Sequence, residues 1–285
     1  MREEEYKNVI VTNKEFLKDP LTLHNMPVGP DAIYGYSTPD AAFLSQQWAK
    51  ETGAFYFDIV DFLDAVHLGD TKRINTYKKQ LRDKKKIITP KIVVGTNDDQ
   101  TDLSWYWLPL FTELKKVWKS PLVDERRLVI PLQLQFGKLI SHASVACFNF
   151  KPQKDAVDII ILEQHAQKKG APDYEADTDY TDGLKLHAQA FLSAMHQKDC
   201  GLLGIENVKA VVNANPICRR HNVCGVVASE LARRLLETDD PMKLAKSGIV
   251  ITHEEVDKLH ERNQKLEAKY GHFPLMVIQK NGGRK

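Results

Sequence analysis

Cys224 lies in a short segment whose residues favour a reactive thiol. Residues 221–236 read HNVCGVVASELARRLL, in which a loop that contains Gly225 passes into an amphipathic helical pattern. The N–H groups of a first helical turn and the positive end of the helix dipole favour negative charge, and the thiolate is the nucleophilic form of cysteine. The segment therefore predicts a nucleophile, with a buried, unreactive cysteine as the alternative.

The base that such a cysteine needs is usually a histidine, which is itself held by a hydrogen-bond acceptor. Among the ten histidines, His142 begins an apolar strand directly after a loop. This position predicts His142 as the base and leaves His165 as the second choice. A structural histidine at the strand end is the alternative interpretation.

A β-hairpin centred on a turn at residues 152–155 provides the acceptor. With that turn, the numbers of facing residues sum to 307, so residue 144 faces Glu163. His142 is then a diagonal neighbour of Glu163 on one face of the hairpin. Asp158, the competing acid, lies about 23 Å along the strand from His142 at ~3.3 Å per residue. The register predicts Glu163 as the acid that orients the histidine.

A zinc site in the same loop is a weaker interpretation. Cys218 and His221 both precede Cys224 closely, and cysteine and histidine are zinc ligands. Their spacing differs from common zinc motifs, and a fourth ligand would have to come from elsewhere. We predict that the protein has no metal site.

The order of these residues resembles that of clan CE cysteine peptidases. This group includes ubiquitin-like-protein proteases and bacterial effectors that are deubiquitinases or acetyltransferases. The segment LVIPLQ at 128–133, followed by His142, is similar to the strand before the family's histidine, and NVCGVV at 222–227 is similar to its nucleophile loop. The resemblance covers residues 105–236 and implies an α+β fold, a papain-like core with a central mixed sheet flanked by helices.

The chain departs from the family pattern at the oxyanion hole. Where the family has a glutamine five or six residues before the nucleophile, this chain has Arg219 and Cys218. An oxyanion hole needs donors about 3 Å from the developing charge. Asn215, Asn222 and Arg219 are the candidate donors, together with the backbone N–H of the cysteine.

The resemblance implies a cysteine isopeptidase that removes ubiquitin or a ubiquitin-like modifier through a thioester, with Cys224, His142 and Glu163 as the catalytic triad and no cofactor. Its partners would be conjugates of the modifier. Trp105 and Trp107 are candidates for the substrate channel, with packing in the core as the alternative.

Two other functions stay open at this point. An effector acetyltransferase would use the same triad with acetyl-CoA, whose phosphates need basic residues such as Lys168 and Lys169 or Arg219 and Arg220. A binding module that has kept the fold and lost catalysis is the second, and the missing glutamine motivates it.

Composition limits the class of protein. The 40 basic and 38 acidic residues leave a net charge of +2, which indicates no nucleic-acid partner. The basic run at 84–86 is expected to be a solvated face. The four cysteines and the absence of a signal-peptide pattern indicate a reducing compartment, which for a secreted bacterial effector includes the host cytoplasm. No apolar run approaches the ~18 residues of a membrane span.

Turn residues near position 100 divide the chain into an accessory region, 1–100, and a catalytic domain, 101–285. Apolar spacing predicts helices at 40–48, 105–118 and 182–195. Thr252 and Glu255 have the spacing of a capping box and predict a further helix of ~18 residues. Strands are expected at 127–136, 208–213 and 273–278, besides the hairpin.

Overall fold

The computed structural model of the 285-residue chain describes residues 32–35, 38–97, 100–101, 104–117, 122, 124–136, 140–164, 207–213, 215–220, 223–270 and 276–279. The helices in these ranges are α1 Thr38–Thr52, α2 Ile59–His67, α3 Thr71–Asp83, α4 Ser104–Val117, α5 Cys224–Glu237, α6 Pro241–Lys246 and α7 His253–Lys269. The strands are β1 Ala32–Gly35, β2 Phe55–Tyr56, β3 Lys86–Ile88, β4 Ile92–Asn97, β5 Gln100–Thr101, β6 Arg126–Phe136, β7 Ile140–Lys151, β8 Ala156–Leu162, β9 Asn207–Val212 and β10 Met276–Gln279.

A mixed sheet forms the centre of the fold. Its strands follow the order β2-β3-β6-β7-β8-β9, with β4 paired to β6 and β5 paired to β4, while β1 and β10 form a separate antiparallel pair. β6, β7 and β8 are antiparallel neighbours, whereas β3 and β4 run parallel to β6 and β9 runs parallel to β8. The expected α+β fold, with a central mixed sheet flanked by helices, is confirmed.

Each face of the sheet is buried against its own group of helices. One core cluster joins Phe148 and Ile159 of the sheet to α2, α3 and α4, and the other joins Val145 and Cys147 to α1, α5, α6 and α7. Successive residues of a strand point to opposite faces of the sheet. Because helices cover both faces, the odd-numbered and the even-numbered residues of β7 both include buried apolar side chains.

The hairpin register is confirmed residue by residue. Asn149 pairs with Asp158, and Val145 pairs with Leu162, so the paired numbers sum to 307. A 3-10 turn over Pro152–Lys154 leads to Asp155, whose φ of 45° is left-handed. Proline suits the first turn position, and aspartate tolerates the left-handed region better than most residues, which explains why the turn forms here.

The other expected elements in the described ranges also form. The capping box is present, since Thr252 Oγ1 accepts from the Glu255 N–H and the Glu255 carboxylate accepts from the Thr252 N–H, and α7 begins directly after it. Helices α1 and α4 and strands β6, β9 and β10 correspond to the remaining predictions. The helix predicted at 182–195 lies outside the described residues.

Strands on both sides of position 100 belong to one sheet. β2, β3 and β4 precede this position, and β3 and β4 pair with β6, which follows it. α1 also packs on α5 and α7. Residues 38–97 therefore share the core with the segment that carries Cys224, and the functional division at residue 100 stays a prediction.

Within the described ranges, no helix combines the length and the apolarity that crossing a bilayer requires.

Candidate functional site

Helix α5 holds Cys224 at one end of the sheet. At the other end of this helix, the buried Arg127 guanidinium donates to the carbonyls of Leu235 at 2.8 Å, Thr238, and Asp239 at 3.2 Å. From Leu235 back to Cys224 the helix extends about 16 Å at ~1.5 Å per residue, which matches about five residues of strand. Since α5 packs along β6 and β7, Cys224 lies near the level of Leu132.

Cys224 differs from the other two described cysteines in its surroundings. It is half-buried at the first turn of α5, whose preceding residue, Val223, offers no side-chain oxygen to the N–H groups of that turn. Cys147 and Cys218 are buried, and burial raises the pKa of both thiols, that of Cys147 to about 12. Among these three, only Cys224 combines access with a helix start.

Gln164 ties the loop before Cys224 to the end of β8. Its side chain is 1% exposed, and its Nε2 donates to the carbonyl of Cys218 at 3.4 Å and to that of Arg220. The backbone carbonyl of Gln164 accepts from the N–H groups of Ile217 at 2.8 Å and Cys218 at 3.3 Å. These hydrogen bonds fix the loop that precedes Cys224. Sequence reasoning missed this role of Gln164 because hydrogen bonds between residues 54 positions apart leave no local pattern.

A second set of hydrogen bonds holds the ends of β8 and β9 together. Asn213 Oδ1 accepts from the Glu163 N–H at 2.7 Å, and Asn213 Nδ2 donates to the carbonyls of Glu163 at 2.9 Å and Asn215 at 2.8 Å. Glu163 is 2% exposed. The backbone of Glu163, the predicted orienting acid, is therefore held at the same end of the sheet as Cys224.

The predicted base is placed by the backbone alone. His142 pairs with Leu134 near the start of β7, at the end of the sheet where β8 finishes, and its side chain lies outside the described structure. The backbone therefore places position 142 at the same end of the sheet as Glu163, and its role as the base stays a prediction.

Asp158 has a structural role at the opposite end of the hairpin. It pairs with Asn149, as predicted, and its carboxylate accepts from the Lys151 ammonium. Its exclusion as the orienting acid follows from the same register that places Glu163.

Lys91 is a cation near Cys224 that sequence reasoning missed. β6 pairs with β3 as far as Val129 and with β4 from Leu132 onward. Pro131, which has no N–H to donate, lies in this break, and Lys91 lies on the chain that joins β3 to β4 across it. Burial lowers the pKa of Lys91, and its attraction to Asp40 and Cys224 opposes that shift.

Lys91 interacts with the buried carboxyl group of Asp40, which in turn interacts with that of Glu267. Asp40 is 1% exposed in α1 and Glu267 is 0% exposed in α7. Neither carboxylate oxygen of Glu267 has a hydrogen-bond partner within the described part of the chain. Burial, and then the charge of Asp40, raises the pKa of Glu267 to about 8, so Glu267 keeps its proton at neutral pH.

Ion pairs between arginines and carboxylates fasten α5, and the loop that precedes it, to α7. Glu230 accepts from Arg233 at 2.7 Å, Arg234 at 2.8 Å and Arg262 at 3.0 Å. Burial alone would raise the pKa of Glu230, but these hydrogen bonds and charges outweigh it and lower the pKa to about 2. Arg220 is 5% exposed and pairs with Asp257 at 2.6 Å.

The predicted oxyanion donors remain predictions. Asn215 and Arg219 are both exposed on the loop before Cys224. The Asn215 amide nitrogen lies 4.0 Å from where a Cβ at Gly248 would stand, which places this side chain towards the segment between α6 and α7. Asn222 lies outside the described residues.

The channel candidates also remain predictions. Trp105 and Trp107 lie in the first turn of α4, and their side chains are outside the described structure. Leu110 and Leu114 of the same helix pack in the core cluster on the side of the sheet away from α5. For Trp105 and Trp107 to line a channel to Cys224, the start of α4 has to reach the end of the sheet where Cys224 lies.

The absence of a metal site and of a cofactor stays a prediction. Arg220 is engaged with Asp257, and Lys168 and Lys169, the other basic pair considered for acetyl-CoA, lie outside the described residues. In the described ranges, no three His, Cys, Asp or Glu side chains are grouped so that they could hold a metal ion. His165, His221 and Cys200 lie outside those ranges.

Comparison with known proteins gave likeness in structure alone. No family model matches the sequence, and no curated protein matches it. Similar solved structures include the Legionella pneumophila effector RavZ, at 10% identity and a TM-score of 0.37 over 64% of this chain, and RavZ in complex with human LC3B, at 11% identity and 0.37 over 66%. The ASFV pS273R protease is similar at 16% identity and a TM-score of 0.27, covering 47% of this chain and 42% of its own.

This chain spans about half the length of the RavZ chains that it matches, 53% and 51% of them. The function is therefore argued from the residues of the site.

Proposed function

We propose that the protein is a cysteine isopeptidase that removes ubiquitin or a ubiquitin-like modifier from its conjugates. The observation that carries the proposal is the half-buried Cys224 at the first turn of α5, at the end of the sheet where β7 begins and β8 finishes. The buried Glu163 is held at that same end. The modifier as substrate rests on the resemblance of residues 105–236 to clan CE peptidases.

In the first half of the reaction, His142 takes the proton from Cys224 Sγ, and the thiolate attacks the carbonyl carbon of the modifier's last residue. The tetrahedral intermediate collapses as the isopeptide C–N bond breaks. His142 then gives its proton to the leaving lysine amine. The product on the enzyme is a thioester between the modifier and Cys224.

In the second half, a water molecule attacks the thioester while His142 takes its proton. The C–S bond breaks, the modifier leaves with a free carboxylate, and the thiol of Cys224 is restored. Glu163 orients the imidazole and stabilises the imidazolium in both halves.

The negative charge on oxygen needs donors that are already in place. The backbone N–H of Cys224 lies at the helix start, where the dipole favours negative charge. Gln164 holds the loop that delivers this residue, and Lys91 attracts the anionic sulfur. These residues position and stabilise the nucleophile.

Modifier probes with an electrophilic C-terminus test the proposal. Ubiquitin, several ubiquitin-like proteins and LC3B form the panel, the last because RavZ has been solved with it. We expect one probe to form a covalent adduct with the wild-type chain, none with Cys224→Ala, and slower adduct formation with His142→Ala and Glu163→Ala. Cys218→Ala is the matched control and should label normally, since this thiol is buried.

Capture that persists in Cys224→Ala would exclude Cys224 as the nucleophile. Failure of every probe together with self-acetylation from labelled acetyl-CoA would instead identify an acetyltransferase. Failure of both reactions, with a modifier still bound reversibly, would identify a binding module.

A further inference from the structure

A cleft lies at the end of the sheet that is opposite to the end where Cys224 lies. It has a volume of about 390 Å³ and is lined by the starts of β3 and β6, the end of β7 and the hairpin turn. This volume lies within the range of small-molecule sites, about 300–1,000 Å³. Lys85 and Lys86, which belong to the basic run at 84–86, are among its lining residues.

The cleft concentrates positive charge. Its basic lining residues are Lys85, Lys86, Arg126, Arg127, Lys151 and Lys154, and its acidic ones are Asp124 and Glu125. Six cations against two anions is a local excess of four, whereas the whole chain has a net charge of only +2. The lining of the cleft is therefore positive although the chain as a whole is nearly neutral.

Three of these cations hold the fold. The Arg126 guanidinium donates to the Arg82 carbonyl at 3.0 Å, Arg127 caps the end of α5, and Lys151 pairs with Asp158. Each of them binds the protein itself, and their charges also act in the cleft.

The other three cations are available to a ligand. Lys85 and Lys154 are exposed and Lys86 is half-buried. None of the three takes part in an ion pair within the part of the chain that the structure describes. They supply ammonium groups from β3 and from the hairpin turn, on two different walls of the cleft.

The crowding of like charges in the cleft is costly. Lys86 pairs with Arg127 across the parallel β3–β6 ladder. Burial, and then the charge of Arg127, lowers the pKa of Lys86, although Asp239 and Glu237 act against this shift. Burial also lowers the pKa of Arg126 to about 10. A bound anion would relieve this cost, since an opposite charge favours the charged form of each cation.

We propose that this cleft binds a small molecule or lipid headgroup that carries one or more phosphoryl groups. A phosphoryl group has about −1.5 to −2 charge and three acceptor oxygens, which suits three ammonium groups better than a single carboxylate does. The volume exceeds that of one phosphate and leaves room for an attached polyol or nucleoside. The site is independent of the chemistry at Cys224, which lies at the other end of the sheet.

Two probes test the site on the full chain and separate its possible ligands. Inorganic pyrophosphate, titrated by calorimetry, represents a free phosphorylated molecule. Vesicles of phosphatidylcholine with phosphatidylinositol 4-phosphate represent a headgroup, and vesicles with phosphatidylserine in its place control for simple surface charge. Pyrophosphate binding without vesicle binding indicates a free ligand, and vesicle binding that pyrophosphate competes away indicates a headgroup.

Charge reversal identifies the cleft as the binding site. We expect Lys85→Glu/Lys154→Glu to weaken binding of the active probe by about tenfold or more, and Lys86→Gln to weaken it less, since the double variant replaces two attractive charges with repulsive ones and Lys86→Gln only removes one. The matched control is Lys115→Glu/Lys246→Glu, which changes the net charge equally at exposed positions outside the cleft. Its affinity should stay within about twofold of wild type.

Binding of neither probe, or equal weakening by the two double variants, would overturn the proposal. Labelling of Cys224 by iodoacetamide in each variant, at the wild-type rate, verifies that the variants are folded. Loss of probe binding therefore cannot be confused with failure of the proposed isopeptidase activity.

Discussion

The buried Glu267 carboxyl should make the protein less stable as the pH rises through neutrality. A glutamate that is exposed in the unfolded chain has its ordinary pKa of 4.5, whereas burial and the charge of Asp40 raise the pKa of the folded one to about 8. Between these values the folded state holds a proton that the unfolded state has lost. Stability then falls by about 1.4 kcal/mol for each pH unit and levels off above pH 8.

Glu267→Met removes this titration with a side chain of similar length and no polar atom. Between pH 5.5 and 7.5 the free energy of unfolding of the variant, relative to wild type, should rise by about 2–3 kcal/mol, which is a little less than two pH units of that slope because the slope weakens close to the folded pKa. Urea unfolding at several pH values, followed by circular dichroism, measures the difference. Glu261→Met, an exposed position on the same helix, is the control and should change the difference by no more than about 0.5 kcal/mol.

A constant offset between Glu267→Met and wild type across this pH range would refute the reasoning. It would mean that Glu267 is ionised in the folded state, and therefore that an additional cation or donor reaches its carboxylate. A difference that grows with falling pH would be the opposite sign and would refute it equally.

Other substitutions test the residues that hold the site. Gln164→Ala should lower turnover by about tenfold and destabilise the fold by about 1–3 kcal/mol, because two carbonyls of the loop lose their donor; exposed Gln153→Ala should do neither. Lys91→Met should slow iodoacetamide alkylation of Cys224 near neutral pH by at most about fivefold and move its pH profile upward, and Lys91→Arg should restore both. Glu230→Gln should cost about 1–3 kcal/mol in urea unfolding at pH 7, because the half-buried Arg233, Arg234 and Arg262 lose the carboxylate that they share. The wild-type contribution of Glu230 is present above pH 4.5 and is lost as the pH falls towards 2, so the difference should shrink in acid.

Local rules in the sequence were enough to determine several parts of this protein. The turn at Pro152 and Asp155 fixes the hairpin register, because each turn residue has the backbone conformation that its type prefers. That register alone separates Glu163 from Asp158. The start of α5 at Cys224 and the capping box at Thr252 also follow from patterns within a few residues.

Only the tertiary structure decided which distant residues surround Cys224. Lys91 comes close to Cys224 because β3 and β4 both pair with β6 on either side of Pro131, and parallel pairing between distant segments leaves no short-range signal. Gln164 meets the loop before Cys224, and Asp40 meets Glu267, by the packing of helices and strand ends that are far apart in the chain. The sequence thus determined the local setting of Cys224, while side-chain packing across the sheet determined the charges around it.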